Sequence, residues 1–243
     1  MIRSRWVHWF VLAVLCAVAV PAFADTVFTD GTMNLGHYTT VGPGTSGLVT
    51  VSTTNCASCG DTGAAVQIAG TFIGAGTIQE GLLNNNFTYN PGTQGAILSI
   101  TASVDKNVIA TVLGGSNTFH PVIEQGGNYY VASIPGPTIT SSPTGFELIS
   151  GSLTAASFEE YNFATGTFTN VDPNFNAGPI IFGLAQISGN GSGLESLTAI
   201  YDNLSFDITS ARVTAPEPSS LPLLAVGLVG VLALSRRKLL PNS

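Results

Sequence analysis

Charge is what this sequence has least of. Charged residues make up 9% of the 243 positions, against about 25% in an average soluble protein. So few Lys and Glu residues argue against long solvent-facing helices. Basic residues are scarcer still. Between Asp25 and Ala215 the only Lys or Arg residues are Lys106 and Arg212, against thirteen carboxylates, a net charge of −11 for that stretch and −7 for the whole chain. Nucleic-acid binding needs Lys and Arg clustered along a phosphate track, and no such cluster exists, so no nucleic-acid partner is expected. The same deficit argues against docking on anionic lipid through this stretch. Histidine and cysteine are almost as rare. After residue 24 only His37, His120, Cys56 and Cys59 remain, so a zinc site around the Cys pair would need both histidines as its two further ligands.

The two ends are addresses. Arg3 and Arg5 precede an apolar run from Trp9 to Val20, Pro21 breaks it, and Ala22-Phe23-Ala24 offers the small-x-small pattern of signal peptidase. Residues 1–24 therefore read as a signal peptide cut after Ala24. At the other end Ser219–Ser235 carries no charge and is near the shortest length that spans a bilayer as a helix. Residues 221–235 are expected to form that transmembrane helix. Arg236, Arg237 and Lys238 follow at once, which keeps the tail 236–243 cytoplasmic and the preceding domain on the far side of the inner membrane. Between domain and helix lies a Pro-rich linker, 213–220, which two prolines hold extended and accessible.

Pro216-Glu217-Pro218, the apolar stretch and the Arg236-Arg237-Lys238 cluster, in that order, resemble the PEP-CTERM sorting signal. The resemblance implies recognition by an exosortase-type transpeptidase in a Gram-negative bacterium that makes exopolysaccharide. It also implies processing near Pro216-Glu217-Pro218 and a final place on the cell surface or in the extracellular matrix of a biofilm. One departure is the tail Leu239–Ser243, longer than the family usually carries.

The middle, 25–212, shows no sustained helical period. Leu98, Ile100, Ala102 and Val104 alternate with Ser99, Thr101, Ser103 and Asp105, and Leu204, Phe206 and Ile208 with Ser205, Asp207 and Thr209, the pattern of half-buried antiparallel strands. Further strands are expected at Leu48–Thr54, Ala64–Ile73, Val108–Leu113, Tyr129–Ser133, Phe146–Ser150 and Ile180–Ile187, separated by Gly-rich turns. The one helical turn allowed lies near Ala155–Tyr161. The fold class is all-β, an antiparallel sandwich or jelly roll flanked by the signal helix and the transmembrane helix. The order Gly95–Lys106, Pro121–Tyr130, Leu153-Thr154-Ala155, Pro173-Asn174-Phe175, Gly178–Gly183 and Tyr201-Asp202-Asn203-Leu204 is similar to concanavalin A-like and laminin G-like jelly rolls. That resemblance implies a glycan-associated domain. Phe146 stands where the family's tryptophan is expected.

Candidate chemistry is thin. Cys56-Ala57-Ser58-Cys59 reads as a loop disulfide formed after export, with redox activity and half a zinc site as alternatives. Asp172-Pro173-Asn174-Phe175-Asn176-Ala177-Gly178 opens like a calcium loop, but Ala177 and Gly183 occupy the sixth and twelfth positions, which excludes an EF-hand. Asp202 and Asn203 form the weak metal candidate. Asp202 shares a face with Leu204 and Phe206, so it either holds a structural calcium or accepts main-chain hydrogen bonds. Glycan hydrolysis needs two carboxyls facing each other across a cleft. Glu159 and Glu160 are adjacent and point apart on a strand, and Glu124, Glu147 and Glu195 stand alone. His120, before Pro121, reads as a hydrogen-bonded strand residue, and Gly126-Gly127 leads to a strand instead of a phosphate-binding helix. The expected function is therefore a non-enzymatic exported protein that binds or scaffolds exopolysaccharide. The rivals are a glycan-cleaving enzyme and a self-associating structural subunit.

Overall fold

The structure, a computed structural model, describes residues 24–190 and 193–211. The cleavage residue Ala22, the sorting residues Pro216, Glu217 and Pro218, the apolar stretch and the basic cluster lie outside the described residues. Among the described residues eleven strands follow one another: β1 (Ala24–Asp30), β2 (Tyr38–Cys56), β3 (Ala65–Tyr89), β4 (Ile97–Ala110), β5 (His120–Gln125), β6 (Asn128–Val131), β7 (Glu147–Leu153), β8 (Glu159–Asn162), β9 (Thr167–Thr169), β10 (Ile180–Asn190) and β11 (Glu195–Ser210). Helix among the described residues is confined to single turns at Leu35–His37, Pro91–Gln94 and Ala155–Ser157. The third falls inside the expected Ala155–Tyr161 turn, but strand β8 takes over at Glu159 and pairs with Tyr130 and Val131.

All pairings are antiparallel, and they make one hydrogen-bonded sheet folded into two layers. The first layer runs β7-β4-β11, with β1 against the second half of β11. The other runs β3-β10-β5-β6-β8-β9, with β2 on the free side of β3. Strand β3 joins them: residues 66–72 pair with β11, and 76–89 pair with β10. The ribbon of β2 and β3 folds at that switch, which is why the chain is Gly-rich there. A Cβ on Gly70 would meet Ile78 Cδ1 at 2.2 Å, and one on Gly76 would meet Ser46 O at 2.6 Å. The expected strands 48–54 and 64–73 are thus only halves of two long strands.

Between the layers the core closes through aromatic rings. Phe28 of β1 and Phe206 of β11 meet Phe87 of β3 and Phe182 of β10, at centroid distances of 5.2 to 6.2 Å. Such pairs contribute about 1 kcal/mol each beyond their buried area. The alternation of β11 is as expected, with Leu204, Phe206 and Ile208 all fully buried. Strand β4 departs from expectation at one position. A register shift places Ser210 opposite Ile97 and Thr209 opposite Ser99, so Leu98 has no partner and turns outward, 46% exposed, while Ile97 fills the core. A bulge adds one residue and reverses the faces beyond it.

The second layer also has a buried outer face. Val41, Leu83, Val122, Val131, Ala185, Tyr161 and Phe163 form a cluster separate from the main core. The hairpin of β8 and β9 supplies its lid.

Candidate functional site: an aromatic groove beside the β8–β9 hairpin

The hairpin's turn is built by Asn162, whose Oδ1 accepts from the main-chain N–H groups of Ala164 and Thr165 at 2.9 and 3.3 Å. Phe163 then packs down on the sheet where glycines leave room. A Cβ on Gly81 would lie 2.9 Å from Phe163 Cζ, and Gly42, at φ +92°, would carry one 2.9 Å from Phe163 Cβ. The hairpin stands above the sheet at this point, and an open groove of about 610 Å³ remains between it and the β5–β6 turn. That volume lies in the usual range for small-ligand sites.

Tyr129, Tyr161 and Phe163 form the apolar part of the groove, and Asn128, Glu160 and Asn162 are among its polar groups. The rings hold one another edge-on: Tyr129 to Phe163 at 5.6 Å and Tyr161 to Phe163 at 4.8 Å. Tyr161 and Phe163 are buried and fixed, whereas Tyr129 is half-buried and faces the opening. Burial pushes the Tyr161 hydroxyl above the ordinary phenol range. Glu160 Oε2 accepts from Thr169 Oγ1 at 3.1 Å. No tryptophan follows Trp9 in the sequence, so any stacking surface must be Tyr or Phe. Aromatic rings flanked by fixed amide, hydroxyl and carboxyl groups suit a ligand with both apolar C–H faces and hydroxyl edges.

Sequence reading did not identify this groove. The signal was present in Tyr161-Asn162-Phe163 followed by Phe168, an aromatic cluster that starts at the last residue of the segment read as helical. The two adjacent carboxylates do diverge: Glu159 is exposed on one side and Glu160 is half-buried at the groove. Among the described residues lining the groove, Glu160 alone carries a carboxyl.

The remaining candidates fall elsewhere. Cys56 and Cys59 are joined as a disulfide at the end of β2, their Cα atoms 5.6 Å apart. The next loop supplies a partner for Asp202, which is fully buried. Its Oδ2 accepts from Asp61 N and its Oδ1 from Asn203 N, both at 2.9 Å. Asn203, at φ +52°, forms the bulge between β11 and β4 and donates through Nδ2 to Asp105 Oδ2 at 2.7 Å. Of the two readings of Asp202, the geometry has main-chain hydrogen bonds. Among the described residues no three His, Cys, Asp or Glu side chains gather as a metal site. The Asp172–Gly178 segment is pinned to the sheet by Gln125, which donates to Asn174 O and Ala177 O and accepts from Asn174 N.

His120 opens β5, and its Nδ1 lies 3.1 Å from Ser133 Oγ. Burial, with help from the nearby Lys106 charge, lowers its pKa to about 4, so the ring is neutral at physiological pH. Lys106 is buried on the inner face of β4 and donates to Thr118 O at 2.7 Å. Its pKa is lowered by desolvation to about 7. Among the described residues no helix is long and apolar enough to cross a membrane.

Comparison with known proteins gives two kinds of result. Solved structures similar to this chain include the family 11 carbohydrate-binding module from Clostridium thermocellum in complex with a beta-1,3-1,4-mixed-linked tetrasaccharide. It is 16% identical with a TM-score of 0.43, and the match covers 79% of this chain and 98% of that one. A xylan-binding domain of family 22 is 13% identical with a TM-score of 0.34, covering 77% of this chain and 96% of that one. No curated protein matches the sequence. Residues 214–238 match the PEP-CTERM protein-sorting motif, and the chain therefore carries the C-terminal signal of exported proteins processed by an exosortase.

Proposed function

We propose that the protein is a non-enzymatic, exported glycan-binding or scaffolding component of the extracellular matrix, and that the groove beside the β8–β9 hairpin holds the polymer. The observation that carries the reading is the groove itself, with a half-buried Tyr129 over the fixed rings of Tyr161 and Phe163 and polar groups around them. An exported domain meets glycans outside the cell, and its acidity of −11 from Asp25 to Ala215 favours staying soluble over self-association. Among the described residues the groove holds one carboxyl, which supports binding without cleavage, since hydrolysis uses two. The C-terminal apolar stretch holds the domain at the inner membrane until processing near Pro216-Glu217-Pro218 moves it to the surface or releases it.

The test is calorimetric titration of the mature protein with oligosaccharides cut from the host's own exopolysaccharide. Tyr129→Ala should weaken binding about tenfold, the effect of losing one well-placed contact residue. Equal affinity in both proteins would remove the groove from the account.

A further inference from the structure

A second cleft opens between the two layers at the end where β4 stops. It is about 380 Å³ in volume. Its floor includes Lys106, which shares the inward face of β4 with Ile100, Ala102 and Val104. Val108, Ala110 and Leu197 give it an apolar wall, and Gln186, Ser188 and Glu195 line it with polar groups.

Lys106 is the only Lys or Arg among the described residues. It is 4% exposed, and its ammonium lies 5.2 Å from the centroid of the Tyr201 ring. Yet it has no carboxylate partner: the one ion pair within 4.0 Å among the described residues joins His37 to Asp30. Its cross-strand neighbour Glu147 is instead held by Asn117 Nδ2 at 2.8 Å. A buried ammonium normally sits against a carboxylate, and here the protein supplies only the Thr118 carbonyl and a ring face. Polar groups nearby are oriented by each other: Tyr201 OH donates to Gln186 Oε1, and Gln186 Nε2 donates to Ser188 Oγ. That leaves the Ser188 hydroxyl hydrogen for another acceptor, while Glu195 can accept from sugar hydroxyls.

We propose that this cleft is a binding site for a carboxylate-bearing sugar, a uronic acid residue whose carboxylate pairs with Lys106, whose hydroxyls meet Gln186, Ser188 and Glu195, and whose C–H face lies on Val108, Ala110 and Leu197. The cleft lies apart from the hairpin groove, so the two sites stand or fall separately.

The titratable and charged groups facing Lys106 are Tyr201 on β11, Glu147 on β7, His120 on β5 and Glu195 in the cleft wall. Burial raises the Tyr201 hydroxyl far above neutrality, and His120, at about 4, stays uncharged above pH 6. The ammonium, at about 7, is the cation that changes between pH 6 and 9.

The experiment titrates the mature exported protein with sodium glucuronate, glucose and sodium acetate, following amide shifts by NMR. Glucuronate should move residues lining the cleft and bind roughly tenfold or more tightly than glucose or acetate, the worth of one hydrogen-bonded ion pair added to the ring contacts. Lys106→Gln should abolish the preference for glucuronate over glucose, and Tyr129→Ala should leave it intact. If Lys106→Gln does not fold, the wild-type pH series decides, with glucuronate affinity falling from pH 6 to 9. Equal binding of glucuronate and glucose, acetate matching glucuronate, or loss in Tyr129→Ala but not in Lys106→Gln would each overturn the proposal. So would pH-independent affinity.

Discussion

Replacing Lys106 by Met gives a sharp test of the buried amine, because its pKa in the fold is about 7 against 10.5 when unfolded. Between these two values the unfolded chain carries a proton at this site that the folded chain has lost, so folding releases protons. Stability must then rise with pH across that window, at about 1.4 kcal/mol per unit once well above 7. Below pH 7 both states are protonated, and the fold carries the full cost of a desolvated ammonium. From pH 7 to 9 the wild-type gain is about 2 kcal/mol, which for a domain of this size raises the melting temperature by roughly 4–8 °C. No other described group has a resolved pKa inside that interval: His120 lies at about 4, and Tyr38 and Tyr201 are raised well above it. Met keeps an unbranched side chain of similar reach against Tyr201 but has no proton to lose. Its cost is the bond to Thr118 O, about 1 kcal/mol. Lys106→Met should therefore melt at a nearly constant temperature from pH 7 to 9, above the wild type at pH 6 and below it at pH 9. Scanning calorimetry across this range decides the matter. A flat wild-type profile, or an equal slope in Lys106→Met, would refute the reasoning.

Other consequences are simpler to read. Gly183→Ala should cost about 3 kcal/mol in chemical denaturation, because its Cβ would stand 1.9 Å from the Leu82 carbonyl oxygen at the bulge between β10 and β3. Asp202→Ala strips the acceptor from two main-chain N–H groups and should cost roughly 3 kcal/mol, while the wild-type melting temperature should be the same in excess calcium and in chelator. Alkylation of the unreduced exported protein followed by mass measurement should leave Cys56 and Cys59 unlabelled, and two labelled thiols would contradict the disulfide. Substituting Pro216 and Pro218 should leave the full-length form at the membrane, seen as an unshifted band in membrane fractions.

Much of the fold was legible where strands are regular. Leu204, Phe206 and Ile208 alternate without interruption, and their parity alone assigns them to the core. Leu98 shows where parity fails: a bulge in β4 is set by pairing with Thr209 and Ser210, a long-range fact that no local pattern contains. The strand expected at 64–73 was read as ending there, but it continues through a Gly-rich stretch from 70 to 76 that is a fold within one long strand, made of glycines because the ribbon doubles back on Ile78 and Ser46. Lys106 was within reach, since it continues the parity of Ile100, Ala102 and Val104. Extending the inward face by two residues would have flagged a buried cation. The groove was less accessible. It depends on Phe163 finding space over Gly42 and Gly81, contacts that span more than eighty residues.

The most direct test of the central claim runs the mature protein through native gels cast with the host's own exopolysaccharide, then sizes the recovered polymer. A band slowed in proportion to polymer concentration, with polymer length unchanged, is the predicted result. An unretarded band, or shortened polymer, would contradict the reading of the protein as a glycan binder that does not cut its ligand.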